Sequence, residues 1–187
     1  MRTLRWLSLV TGLLLLLSPA FAQDLDPVEC YNTAEKAYIA GQFDEAFNNY
    51  SLFCNILPKE ENSDYARIFM WISRTRLNHK AQADLELAEA LDTQWNAPPK
   101  GWVTQIASFF LGQISEADLL AAADLPGDET VIQQHCEVWY YIGVQHLITG
   151  DKTTAIADFQ KCLDTKVDDF TEYSFAQAEL KALGVLK

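Results

Sequence analysis

Four cysteines, Cys30, Cys54, Cys136 and Cys162, are the residues of this sequence best equipped for covalent chemistry. An activated thiolate can run redox chemistry, thiolates grouped with histidines hold zinc, and paired cysteines in an oxidising compartment form structural bridges. No Cys-x-x-Cys is present. His135-Cys136 is the one close ligand pair and lacks further ligands at a usable spacing, so no metal site is expected. The chain also lacks a Gly-x-Ser-x-Gly elbow, a His-Glu-x-x-His pair and a phosphate loop. Asp124, Asp128 and Glu129 cluster in DLPGDET but lack the alternating ligands of a calcium loop, and they read as a solvated linker. His79 and His146 fall at or near expected helical turns and read as structural or exposed. Asn49-Tyr50-Ser51 matches a glycosylation acceptor but lies inside an expected helix, where the match reads as chance. No catalytic residue, cofactor or metal is assigned, and the chain reads as a non-enzyme.

What the cysteines do depends on the compartment. Met1 to Ala22 has a basic start (Arg2, Arg5), an apolar run from Leu7 to Leu17 and the small-x-small ending Ala20-Phe21-Ala22. That is the pattern of a secretory signal peptide, too short in its apolar part to span a ~30 Å bilayer. The expected mature product begins at Gln23 and is exported, with no later segment apolar for long enough to span a membrane. Without Arg2 and Arg5, 12 basic residues face 26 acidic ones, a formal charge of −14. Phosphates would be repelled, which argues against nucleic acid and anionic membrane surfaces as partners. An even number of cysteines in an exported chain reads as a disulfide framework.

The elements that must position those cysteines are visible in two similar stretches, GQFDEAFNNYSLFC from Gly41 and GDKTTAIADFQKC from Gly150. Each has Gly at a turn, Ala five residues on and an aromatic nine on. This is the turn and second helix of a tetratricopeptide (TPR) hairpin: Gly ends the first helix with φ > 0, Ala admits close helix approach, and the aromatic fills the gap. Two degenerate copies keep the register. Asn78 is followed by Ala83 and Leu87, and Gly112 by Ala117 and Ala121. The four turns are spaced by 37, 34 and 38 residues, against an ideal repeat of ~34. The expected fold is all-α: a tetratricopeptide-like α-hairpin solenoid in one domain, residues 23–187. Its four hairpins occupy about 27–58, 64–95, 100–124 and 132–165, and a closing helix 169–184. Pro98 and Pro99 in TQWNAPPKG break the chain between the second and third hairpins.

The hairpins then suggest a cysteine pairing. Cys30 lies 11 residues before Gly41 and Cys54 lies 13 after it; Cys136 lies 14 before Gly150 and Cys162 lies 12 after it. At ~1.5 Å rise per residue, each pair stands at nearly equal height above its turn. Bridges Cys30–Cys54 and Cys136–Cys162 are therefore expected, each contributing roughly 3.5 kcal/mol on a chain-entropy model. The alternative is four buried free thiols.

The second half goes beyond generic repeats. FFLGQIS, the E-x-x-YYIG helix leading to Gly150-Asp151, and DFTEYSFAQAELKALG together resemble the carboxy-terminal half of the NlpI-type (new lipoprotein I) family. The resemblance covers about Tyr65 to Gly184. It implies a bacterial envelope TPR protein, dimeric and non-catalytic, that binds a processing protease and peptidoglycan hydrolases. The first cysteine, Cys30, follows no lipobox, so a non-lipidated periplasmic variant is expected.

Solenoid hairpins expose the inner faces of their first helices as a groove. Tyr31, Glu35 and Tyr38 in the first hairpin and Tyr140 in the fourth fall at inward positions, where aromatics with an acid suit an extended or basic peptide. The alternative is that these tyrosines pack against a neighbouring or closing helix. The expected function is an adaptor for envelope proteins, with a secreted redox or chaperone factor as the second reading.

Overall fold

The computed structural model describes residues 25–93, 101–125 and 131–187. The expected signal peptide, the start at Gln23, the Pro98-Pro99 break and the acids Asp128 and Glu129 lie outside the described residues. Among the described residues there are nine α-helices and no strand: α1 (Pro27–Ile39), α2 (Phe43–Ile56), α3 (Glu61–Arg76), α4 (Lys80–Thr93), α5 (Trp102–Phe110), α6 (Glu116–Ala123), α7 (Val131–Ile148), α8 (Lys152–Asp164) and α9 (Thr171–Ala182). They pack as an all-α helical hairpin solenoid in chain order, with α1 on α2, α3 on α4, α5 on α6 and α7 on α8. Among the described residues no helix is long and apolar enough to cross a membrane.

The hairpin turns follow from backbone chemistry. Gly41, Asn78, Gly112 and Gly150 all have positive φ, between 66° and 91°. At the first turn the Gln42 N–H donates to the Ala37 carbonyl and the Gly41 N–H to the Tyr38 carbonyl. This is the Schellman arrangement that satisfies the orphan carbonyls of a helix end, and His79, Gln113 and Asp151 repeat its longer bond. Asp26 caps α1 by accepting from the Val28 N–H, with Pro27 in the first helical turn.

One register differs from expectation. In the first, second and fourth hairpins the second helix begins two residues after the turn residue, and Ala46, Ala83 and Ala155 are buried as predicted. In the third, α6 begins four residues after Gly112, capped by Ser115 accepting from the Asp118 N–H. Those two extra loop residues shift the buried face, so Ala117 and Ala121 are exposed while Leu119 and Ala123 fill the core positions.

The fourth hairpin depends on close helix approach. A Cβ added at Gly143 would lie 2.7 Å from the Phe159 ring, which is fully buried. Gly143→Ala gains about 0.8–1 kcal/mol of helix propensity but overpacks α7 against α8, which costs about 1–3 kcal/mol. The expected result is a net loss of about 1 kcal/mol on urea unfolding, larger for Gly143→Val.

The solenoid does not remain open. α9 packs against α8 and α7 and returns to α1, while α3 and α5 both reach α7. The inner faces of α1, α3 and α7 therefore meet α9, and α5 joins them through α3 and α7. Their rings form one web: Tyr38 stacks on Phe175 at 4.4 Å, and Phe69 meets Phe175 at 5.1 Å and Tyr141 at 6.4 Å. Phe110 meets Tyr141 at 5.8 Å and stacks with Trp71. Offset and edge-on contacts of this kind add to burial in holding a core together.

Candidate functional site

The convergence decides which predicted groove residues are accessible. Tyr38 and Tyr140 are buried, and their hydroxyls are hydrogen-bonded to each other at 2.7 Å. Their expected role as exposed anchors for a partner is corrected: α9, through Phe175, occupies the space the groove would have offered. Burial pushes the phenols of both well above their ordinary range.

Tyr31 and Glu35, one helical turn apart on α1, remain half-buried at the edge of this plug. Glu35 accepts from the Thr171 hydroxyl at 2.9 Å, which ties α1 to the start of α9. Burial raises the Glu35 pKa, and the Thr171 hydrogen bond opposes the rise. Tyr31 meets Tyr50 and Phe53 edge-on at 5.5 and 4.9 Å.

Beside them opens a cleft of about 200 Å³ between α1, α3, α7 and the start of α9. Tyr31, Tyr65, Phe69 and Phe170 supply its rings, and Glu137, Asp169 and Glu172 its carboxylates. They come from α1, α3, α7 and the start of α9, so only the curl of the solenoid brings them together. Glu137 and Glu172 are almost wholly buried. The Tyr65 hydroxyl lies 3.2 Å from both Glu137 oxygens and the Trp102 indole N–H donates to one of them at 2.6 Å. The Tyr141 hydroxyl donates to Glu172 at 2.6 Å. Phenol and indole donors fix these carboxylates in place without adding positive charge of their own.

Sequence reasoning reached only Tyr31 of this lining, with Glu35 at its border. Glu137 carried one usable signal: it is the lone acid in the apolar run CEVWYYIGV, and such an acid is seldom buried without a defined partner. Glu172 and Tyr65 had no comparable mark.

The four cysteines are buried free thiols in this structure, so the two expected bridges are not formed in it. The Cys136 and Cys162 sulfurs are 3.5 Å apart, a hydrogen-bonding separation, and Cys162 also faces the Glu172 carbonyl at 3.8 Å. Cys54 faces the Ser63 carbonyl at 3.6 Å, and burial pushes its thiol up to about 11. Mild oxidation of the native protein is expected to link Cys136 to Cys162, with Cys30–Cys54 as the second bridge. Non-reducing peptide mapping checks this, and a Cys30–Cys162 peptide would contradict the repeat layout.

The histidines act between helices. His146 on α7 lies 2.8 Å from Asp158 of α8 and 3.5 Å from Glu116 of α6, while His135 lies 2.8 Å from Asp124. Both ends of short α6 are thereby tied to α7. His79 is exposed at its turn, and Asn49 spends its amide on the Glu45 carbonyl within α2. Among the described residues no group of three or more acids, cysteines and histidines is arranged to hold a metal ion. No family model matches the chain.

Proposed function

We propose that this chain is a non-catalytic tetratricopeptide-like adaptor that docks a segment of another exported protein at the α1–α3–α7–α9 cleft. The observation that carries the reading is the cleft itself: carboxylates and rings from four separate helices, held by hydrogen bonds and open at the surface beside the closing helix. Peptide-docking surfaces combine rigid aromatic contacts with a few fixed polar groups in this way. The leader-like residues 1–22 and the resemblance of 65–184 to envelope adaptors support a periplasmic location and an envelope-protein partner.

A secreted redox factor is the second reading, favoured by the 3.5 Å approach of Cys136 and Cys162. It is the weaker one. Both thiols are fully buried, whereas a redox-active cysteine needs access to its substrate.

Site-directed photocrosslinking tests the adaptor reading. A photoreactive residue at Asn62 or Asp169, both exposed on the cleft, is expected to capture a discrete envelope protein, and one at exposed Leu85 on α4 is not. Equal capture at all three positions, or turnover of thiols or peptide bonds by the purified protein, would refute it.

A further inference from the structure

We infer that two copies of this chain exchange α9, each lodging it in the groove of the other to form a dimer. The inference does not depend on the adaptor reading, since it concerns the element that fills the groove.

The link between α8 and α9, residues 165–170, carries a conflict between its sequence and its shape. Lys166 stands at φ 61°. Among the described residues every other left-handed position is glycine or asparagine, the types that tolerate it at little cost. A lysine held there is strained. The link also lacks what stops helices elsewhere: no glycine or proline occurs from Cys162 to Leu183. Phe170 stands at the N-cap of α9, and its side chain makes no capping bond. The end of α8 is shaped instead by Thr165. Its hydroxyl donates to the Cys162 carbonyl at 2.6 Å and accepts from the Val167 N–H at 3.4 Å.

A second observation is the apolar pattern that runs through the link. Leu163, Val167 and Phe170 lie at i, i+4 and i+7, the spacing of one helix face. All three are half-buried against the core, although residues 165–170 are not helical. The link therefore reads as a helix that the closed fold has bent back. Straightened, residues 152–182 form one helix of about 46 Å. Its final part then projects away from its own groove, beyond reach of α1 in the same chain. Short connections under strain are where elements exchange between copies.

Exchange preserves the groove contacts. Tyr38 again stacks on Phe175 and Arg76 again pairs with Glu179, now between chains. Both Lys166 residues leave the left-handed conformation. The core contacts that Val167 and Phe170 give up are offset where the two straightened links cross and their apolar stripes meet. Glu172, which borders the cleft, then comes from the second copy, so each site is built by both chains.

The test unfolds the full exported chain in urea, refolds it at high concentration and sizes it by light scattering. A dimer is expected that forms slowly and persists on dilution, because α9 must leave a buried seat. Lys166→Gly removes the strain of the closed link and is expected to lower the dimer association constant at least about tenfold. Asp168→Ala raises helix propensity through the link and is expected to raise that constant severalfold. Asn32→Cys with Gln177→Cys places spin labels on the exposed faces of α1 and α9, attached to folded protein whose four native thiols are buried. Refolding with excess unlabelled chain is expected to remove the short α1–α9 distance from the dimer and keep it in the monomer.

A short distance retained in the diluted dimer would mean that the copies meet through a surface, and would overturn the exchange. A chain that stays monomeric at every refolding concentration would overturn it as well. A dimer indifferent to both Lys166→Gly and Asp168→Ala would overturn the link as its hinge.

Discussion

Tyr140→Ala is expected to destabilise the protein by about 3–5 kcal/mol, the range for emptying a large aromatic site in a packed core. Tyr140 is fully buried and meets Tyr141, Phe159 and Phe175 with ring centres at 5.2, 6.0 and 6.1 Å. It therefore joins α7, α8 and α9 at one point. For a chain of this size each kcal/mol lowers Tm by roughly 2–4 °C, so a fall of about 6–20 °C is expected. The milder Tyr140→Phe isolates the hydroxyl. It leaves the Tyr38 oxygen buried without its 2.7 Å partner, which costs about 1–3 kcal/mol. Removing both hydroxyls, in Tyr38→Phe with Tyr140→Phe, restores a matched apolar pair and should recover most of that loss. A double variant as unstable as the sum of the singles would show that the two hydroxyls do not act as a pair.

The second large effect is expected at Arg76. Its guanidinium donates to Glu179 at 2.7 Å and lies over the Phe43 ring at 4.6 Å. Only 6% of the Glu179 side chain is exposed, so Arg76→Ala leaves a buried carboxylate near the Tyr38 and Tyr140 hydroxyls. Breaking one partner of a buried ion pair costs about 3–5 kcal/mol, whereas replacing both with apolar groups is often neutral. Urea unfolding of Arg76→Ala should show the full loss, and Arg76→Met with Glu179→Leu should return near the parent value. The pair is also the ion pair joining α3 to α9. Limited proteolysis of Arg76→Ala should accelerate in the link 165–170, as α9 loosens from the curl. Unchanged cleavage there, with lowered global stability, would mean that α9 is held by its rings alone.

The two predictions act on the feature that the sequence hid. Helix positions were legible because their signals are local. The turn residues Gly41, Asn78, Gly112 and Gly150 adopt the left-handed conformation that ends a helix, and Asp26-Pro27 and Ser115 start helices where their side chains and fixed φ allow. The register of α6 was lost for a local reason too: the spacing counted from the turn residue assumes a helix that begins two residues on, and two more loop residues follow Gly112.

The candidate site was legible only at its edge. Tyr31 and Glu35 were found because both lie on the inner face of α1. Tyr38 and Tyr140 lie on inner faces as well, yet end in the core. A helical wheel reports which face of a helix is apolar or aromatic, and not what covers that face.

The sequence by itself determined the all-α hairpin repeat, the turn residues and the small and large apolar contacts that pack the first, second and fourth hairpins. Those depend on residues within about 40 positions of one another, so short-range periodicity encodes them. Tertiary structure alone decided how tightly the hairpins curl and that α9 turns back onto α1. It follows that the inner faces become core instead of groove. Closure of that kind rests on pairs such as Arg76 with Glu179, Glu35 with Thr171 and Tyr38 with Phe175, each more than 100 residues apart in the chain. No local pattern records such a pair. The same long-range closure gathers Tyr65, Glu137 and Glu172 around one cleft, which is why the proposed site emerged from packing.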